Sequence, residues 1–160
     1  MNGPDRATRV ASAHWEALSG DVEAITGEYD ERGYETHALH PGDVTLLTGE
    51  SGDREGLDVL LPGSEFETVF DLVDRGVAFD SSEVYSAREG STVLLVLVLV
   101  DEREEVVLAY PAYYDLETGR EVLSRARERG RFHSYLRRLS GDTVTFTHDD
   151  PAIFEPPAEE

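Results

Sequence analysis

The chain has 160 residues and a formal net charge of −20, since 34 acidic residues face 14 basic ones. All of the basic residues are arginine, and the chain contains neither lysine nor cysteine. The missing lysine excludes a P-loop and Schiff-base chemistry, and the missing cysteine excludes thiol nucleophiles, zinc fingers and iron–sulfur clusters.

The excess of carboxylates and the lack of lysine together indicate a salt-in halophilic environment. Carboxylates keep a surface hydrated where concentrated salt screens their repulsion, whereas such brine would drive the aliphatic stems of lysine together. The absence of cysteine fits a cytoplasmic protein. The most apolar run, Thr92–Val100, has nine residues, short of the ~20 that span a bilayer as a helix. We therefore expect a cytoplasmic location and no membrane partner.

A chain of this length is expected to fold as one domain around one core. We place this domain at residues 6–154. The ends lack apolar periodicity and are rich in proline and charge, so we expect a flexible N-terminus at 1–5 and a disordered acidic tail at 155–160.

The first predicted helix begins near Pro4 or Asp5. Its apolar residues lie three or four positions apart and form one stripe, which comprises Trp15, Leu18, Val22, Ile25 and Tyr29. This stripe places Trp15 in the core. An arginine followed by glycine marks the helix end at Gly33, and the same pattern predicts helix ends at Gly76 and Gly130.

The starts of the other two helices resemble capping boxes. Ser64–Glu67 and Thr118–Glu121 each place a hydroxyl three residues before a glutamate, so the two side chains can bond reciprocal backbone amides. Asp150 followed by Pro151 predicts a capped short turn near the end of the chain.

Eight segments have strand character: 34–39, 44–47, 57–61, 83–88, 92–100, 105–110, 132–139 and 143–147. The charged residues 101–104 predict a hairpin between two of them. The order is one helix, three strands, one helix, three strands, one helix and two strands. It favours a single α+β domain with a largely antiparallel sheet, a long N-terminal helix and two further helices packed on it, over a doubly wound parallel fold.

The densest group of potential metal ligands is His148, Asp149 and Asp150. An imidazole and carboxylates at a strand end could hold a divalent cation, which would permit a metal-assisted hydrolase. Asp150 is also explained as a helix cap, and His37 and His40 point to opposite faces if their segment is extended. We therefore assign no metal or cofactor and keep the three residues as alternative candidates.

Half of the arginines lie between Arg120 and Arg138, where the only acids are two glutamates. Guanidinium groups suit phosphate or carboxylate, so an anion or nucleic-acid site is one interpretation. Its candidate residues are Arg125, Arg129, Arg137 and Arg138. The favoured alternative is that these arginines balance acidic neighbours of the fold or pair with an acidic protein partner. High salt weakens counterion release, which argues against nucleic acid without excluding it.

Three of the tyrosines fall in the segment Tyr110–Asp115. Tyrosine suits an exposed contact patch, but such a segment more often closes the end of a core, and we favour the core.

Several motifs resemble a family of small haloarchaeal proteins of unknown function. They are the Trp15 helix ending at Gly33, the Leu39–Val44 turn, the Gly56–Pro62 segment, Pro111–Tyr114 and the closing His148–Pro151. The resemblance implies no activity and no catalytic residues.

The leading functional prediction is a halophilic, cytoplasmic protein that acts by binding, as an interaction or regulatory module. No matched acid, base and nucleophile are found, so we predict a non-catalytic module, with the metal-assisted hydrolase as the alternative.

Overall fold

The computed structural model describes residues 6–49 and 54–157. Three α-helices lie in this part of the chain: α1 (Arg6–Glu31), α2 (Gly63–Asp74) and α3 (Leu116–Arg129). A short 3-10 helix follows at Pro151–Phe154. The strands are β1 (Glu35–Ala38), β2 (Asp43–Thr48), β3 (Glu55–Leu60), β4 (Ser81–Glu89), β5 (Thr92–Asp101), β6 (Val106–Asp115), β7 (Phe132–Arg137) and β8 (Thr143–His148). The predicted order of elements is confirmed.

The strands form two mixed sheets, and the α+β class with a long N-terminal helix is confirmed. The first sheet has the order β1-β6-β5-β4 and the second β2-β3-β7-β8. Each contains one parallel pair, β1 with β6 and β3 with β7, and its other pairs are antiparallel. We expected one sheet. Two sheets form because the apolar faces of both are buried against each other in one core.

Strand β5 of the first sheet lies between two packed layers, because both of its faces are buried. Its odd-numbered side chains, from Val93 to Leu99, join Leu57, Val59 and Leu136 of the second sheet in the main core. Its even-numbered side chains, from Leu94 to Val100, pack in a second cluster with residues of α1. An uninterrupted apolar run is the pattern expected for a strand buried on both sides.

The ends of the helices agree with the sequence, but the starts of two do not. Gly33, Gly76 and Gly130 have φ angles of 91°, 98° and 79°, as the predicted left-handed ends require.

Both capping-box predictions are wrong. Pro62 precedes α2 without a side-chain cap, and the Asp115 carboxylate caps α3 by accepting from the Thr118 amide at 3.3 Å. A carboxylate at the end of β6 also suits the positive end of the helix dipole, so α3 starts before Thr118.

Two local predictions near strand ends are confirmed. β5 and β6 are antiparallel neighbours joined through residues 102–105, as the hairpin requires. Asp150 caps the 3-10 helix, since its Oδ1 accepts from the Ala152 amide at 3.2 Å.

The predicted termini are described only in part. Residues 1–5 and 158–160 lie outside the described part of the chain. Glu155, in the predicted tail, accepts from Arg127 at 2.9 Å. Among the described helices, none has the length and apolar character needed to cross a bilayer.

Candidate functional site

Two of the candidate arginines converge on one glutamate. Arg125 Nε lies 2.6 Å from Glu55 Oε2, and Arg129 NH1 lies 2.8 Å from Glu55 Oε1. Arg125 also donates to the Thr48 carbonyl at 3.2 Å. The pair ties α3 to the strands β2 and β3.

The other two candidate arginines bind different carboxylates. Arg137 Nε donates to Asp58 Oδ2 at 2.8 Å, across neighbouring strands. Arg138 donates to Asp142 Oδ2 at 2.7 Å and lies over the Phe66 ring. All four candidate guanidinium groups therefore neutralise carboxylates of the same chain.

His148 lies inside the core, where two serines bond its ring. Ser134 Oγ lies 2.9 Å from Nε2, and Ser82 Oγ lies 3.0 Å from Nδ1. The side chain is 3 % exposed, and desolvation lowers its pKa to about 4, so the imidazole is neutral at pH 7.

The structure separates His148 from the two acids that follow it in the sequence. Asp149 and Asp150 are exposed, and Asp150 is a helix cap. Among the described residues, no group of three or more metal-competent side chains is assembled. His37 and His40 each lie against a different glutamate, at 2.6 Å from Glu35 and 2.7 Å from Glu65.

The three clustered tyrosines have two different environments. Tyr110 and Tyr114 are buried, and the Tyr114 hydroxyl donates to the Phe154 carbonyl at 2.6 Å. Tyr113 is only half-buried, and its ring contacts that of Trp15 on α1. The core interpretation describes the first two tyrosines, and the third lines a groove.

This groove has two adjoining parts. The first, of about 290 Å³, is lined by Thr8, Ala11, Ser12, Trp15, Pro41, Gly42, Asp43, Val44 and Tyr113. The second, of about 450 Å³, is lined by Ala7, Thr8, Asp43, Val44, Thr45, Leu46, Tyr113, Tyr114, Asp115 and Thr118. Four residues border both parts, so we treat them as one feature and call it the α1–β2 groove.

Helical spacing brings the α1 side of the groove together. Thr8, Ser12 and Trp15 follow one another at intervals of four and three residues, which puts them on one face of α1. Opposite them, the Trp15 and Tyr113 rings meet edge to face, with centroids 6.3 Å apart and planes at 90°. The Thr8 hydroxyl lies 3.1 Å from the Tyr113 hydroxyl.

The charges of the groove are acidic. Among the residues that line it, the charged ones are Asp43, which is exposed, and Asp115, which is half-buried as the cap of α3. Within the described part of the chain, the lining contains no arginine or histidine. Hydroxyl-bearing residues of the lining are Thr8, Ser12, Thr45, Tyr113, Tyr114 and Thr118.

The apolar stripe of α1 predicts that Trp15 lies in the core, and it does not predict the groove. Trp15 does contact both core clusters, but it is half-buried. The sequence feature that indicates the groove is on the same face of α1 as Trp15. There, Thr8, Ala11 and Ser12 are small residues instead of large apolar ones. Small side chains on the face of a large aromatic leave a concavity beside it.

A second concavity, of about 400 Å³, lies beside α2 and is lined in part by Phe66, Phe70, Arg138 and Asp142. Its guanidinium group is already bound to the Asp142 carboxylate of its own lining. The α1–β2 groove is therefore the better candidate for a ligand.

Comparison with known proteins places the chain in a family. Residues 4–156 match the model of a family described as a family of unknown function, DUF7529. Neither the curated proteins nor the solved structures include a significant match.

Proposed function

The chain belongs to this family of unknown function, which supplies no activity, and we propose from the geometry that it is a non-catalytic small-molecule-binding module. Its ligand occupies the α1–β2 groove. The groove itself carries this proposal, because it combines a concave shape with aromatic walls and several hydroxyls. Ligand sites are typically apolar clefts with a few converging polar groups.

The placement of the titratable groups favours binding over catalysis. His148, whose ring is bonded to serine hydroxyls, lies in the core, and Ser134 beside it is fully buried. The hydroxyls that line the groove have no histidine among their neighbours in the lining. A hydroxyl that is not activated is a weak nucleophile, whereas it is a good hydrogen-bond partner for a ligand.

We also propose that the module works in a halophilic cytoplasm. A charge of −20 on 160 residues supports this, together with the complete replacement of lysine by arginine. An acidic surface stays hydrated where salt is concentrated.

The groove holds the only tryptophan of the chain, Trp15, which provides a direct optical readout. The protein is dialysed in molar potassium chloride against the small-molecule fraction of a cell extract. Compounds enriched on the protein side are identified by mass spectrometry. Each is then titrated while Trp15 emission is recorded, and we expect at least one to change the emission and saturate.

Two variants of α1 separate groove binding from binding elsewhere. Ser12→Phe places a large ring in the groove and should abolish retention of the compound. Ala13→Phe adds the same ring to an exposed position outside the lining and should leave retention unchanged. The proposal fails if nothing is enriched, or if Ser12→Phe binds as well as the unaltered protein.

A further inference from the structure

We infer that the α1–β2 groove selects a small organic cation, of the ammonium or methylated ammonium class. This inference rests on the proposed binding function and adds the chemistry of the ligand. Three features of the groove carry it: the arrangement of its aromatic rings, the sign of its charges and the nature of its neutral polar groups.

The two aromatic walls form a corner. Trp15 and Tyr113 have ring planes at 90° and centroids 6.3 Å apart, so the two rings stand perpendicular to each other. Both side chains are half-buried and line the first part of the groove. The faces of aromatic rings carry negative partial charge, and they attract ammonium groups, tryptophan most strongly.

The ring corner lies beside a carboxylate. Asp43 borders both parts of the groove together with Tyr113, and Asp115 borders the second part. Both charges are negative, and none of the described residues that line the two parts is arginine or histidine. A phosphate or carboxylate ligand would meet two acids and no cation, which disfavours anionic metabolites.

The rings distinguish an organic cation from potassium or sodium. Inorganic cations prefer several hard oxygen ligands, and the described residues assemble no group of three acids or histidines. Alkyl groups on an ammonium can instead pack on Trp15 and Tyr113, while the hydroxyls of Thr8 and Ser12 suit a polar end of the same molecule. Concentrated salt would compete for Asp43 alone and much less for the aromatic corner.

The test uses isosteric probes at constant ionic strength. Trp15 emission is titrated with tetramethylammonium, choline and 1,4-diaminobutane, and with 3,3-dimethylbutan-1-ol, the uncharged carbon analogue of choline. We expect saturable binding of at least one cation, and choline to bind at least fivefold more tightly than its neutral analogue. Glucose serves as a neutral polyhydroxy probe and is expected not to bind.

A pair of acid-to-amide variants tests the role of the carboxylate. Asp43→Asn should raise the dissociation constant of the cation about fivefold, the range expected for a solvent-accessible charge pair. Asp21→Asn makes the same change of net charge on an exposed residue of α1 outside the groove and should leave it unchanged. Equal effects of the two variants would show a general counter-ion effect and overturn the inference.

The outcomes separate this inference from the proposed function. Binding of none of the three cations, or equal binding of choline and its neutral analogue, overturns the inference. If the extract then yields an anionic or neutral ligand that Ser12→Phe excludes, the binding function stands with another ligand class. If neither probes nor extract bind, both proposals fail.

Discussion

At the scale of single residues, the buried imidazole of His148 has the clearest energetic consequence. One nitrogen of its ring must donate to a serine and the other accept from one, since the neutral ring carries a single proton. Its contacts to Ser82 and Ser134 join β8 to strands of both sheets. Neutral His148 therefore couples the two sheets, and its protonation would place a positive charge in the desolvated core.

This environment predicts a loss of stability in mild acid. The folded pKa of His148 is about 4, and an unfolded histidine titrates near ~6.5. Between these values the unfolded chain binds a proton that the folded chain does not, so stability is complete above the unfolded value and decreases as the pH falls. The loss approaches roughly 3 kcal/mol at the lower end of this window. Chemical denaturation at a series of pH values measures it.

A glutamine substitution provides the comparison. His148→Gln keeps a donor and an acceptor but cannot titrate, so its free energy of unfolding should change less between these pH values than that of the unaltered chain. Parallel pH dependence of His148→Gln and the unaltered chain would show that burial does not keep His148 neutral.

Gly119 illustrates a second residue-level constraint, since a helical glycine is normally improved by alanine. A Cβ at this position would lie 2.3 Å from Cε1 of Tyr114, whose hydroxyl is fixed on the Phe154 carbonyl. We expect Gly119→Ala to destabilise the fold by about 1–3 kcal/mol, as overpacked core sites do.

Gly27→Ala on α1 serves as the control. The added carbon has no atom within 4 Å, and the substitution should stabilise the fold by about 0.5–1 kcal/mol. Thermal unfolding of both variants tests the contrast; a stable Gly119→Ala variant would show that the Tyr114 ring can move.

At the scale of elements, local sequence patterns predict which segments form helices and strands. They do not predict which of these elements pair or pack together. The helix ends at Gly33, Gly76 and Gly130 depend on backbone conformation within a few residues, and they were predicted correctly. The parallel pairing of β1 with β6 joins residues about 70 positions apart, and no local pattern encodes that choice. For the same reason, the α1–β2 groove could not be assembled from the sequence.

Glu65, in the first turn of α2, makes a tertiary contact that no local sequence pattern indicates. Its carboxylate accepts from the His40 amide at 2.7 Å and lies 2.7 Å from the His40 ring. Glu23 of α1 lies 3.7 Å from the same ring. His40 therefore connects α1 and α2 through the segment between β1 and β2.

The contact predicts a pH dependence of opposite sign to that of His148. Hydrogen bonding to Glu65 raises the pKa of His40, an effect opposed by desolvation and supported by Glu23. The resulting stabilisation is complete below the unfolded pKa of histidine and is lost as the pH rises through the folded value. In NMR titrations, we expect Glu65→Gln to lower the His40 midpoint by more than Glu23→Gln does. An unchanged midpoint in Glu65→Gln would contradict the assignment.

At the scale of the whole molecule, the arginines are distributed to offset part of the acidic charge. Glu55 binds two guanidinium groups, and Asp58 and Asp142 bind one each. The chain nevertheless keeps a formal excess of 20 negative charges. Mutual repulsion of that excess destabilises the compact state in dilute buffer.

Salt should therefore stabilise the fold, and the effect should depend on the number of exposed acids. Screening shortens the reach of each charge to about 3 Å in molar salt, so the repulsion declines while close ion pairs persist. We expect the thermal midpoint, followed by circular dichroism, to rise from dilute buffer to molar potassium chloride. A variant with Glu16, Asp21 and Glu31 changed to amides removes three exposed charges of α1 and should require less salt for the same midpoint. Equal stability of the unaltered chain in both buffers would mean that its acidity serves a purpose other than life in brine.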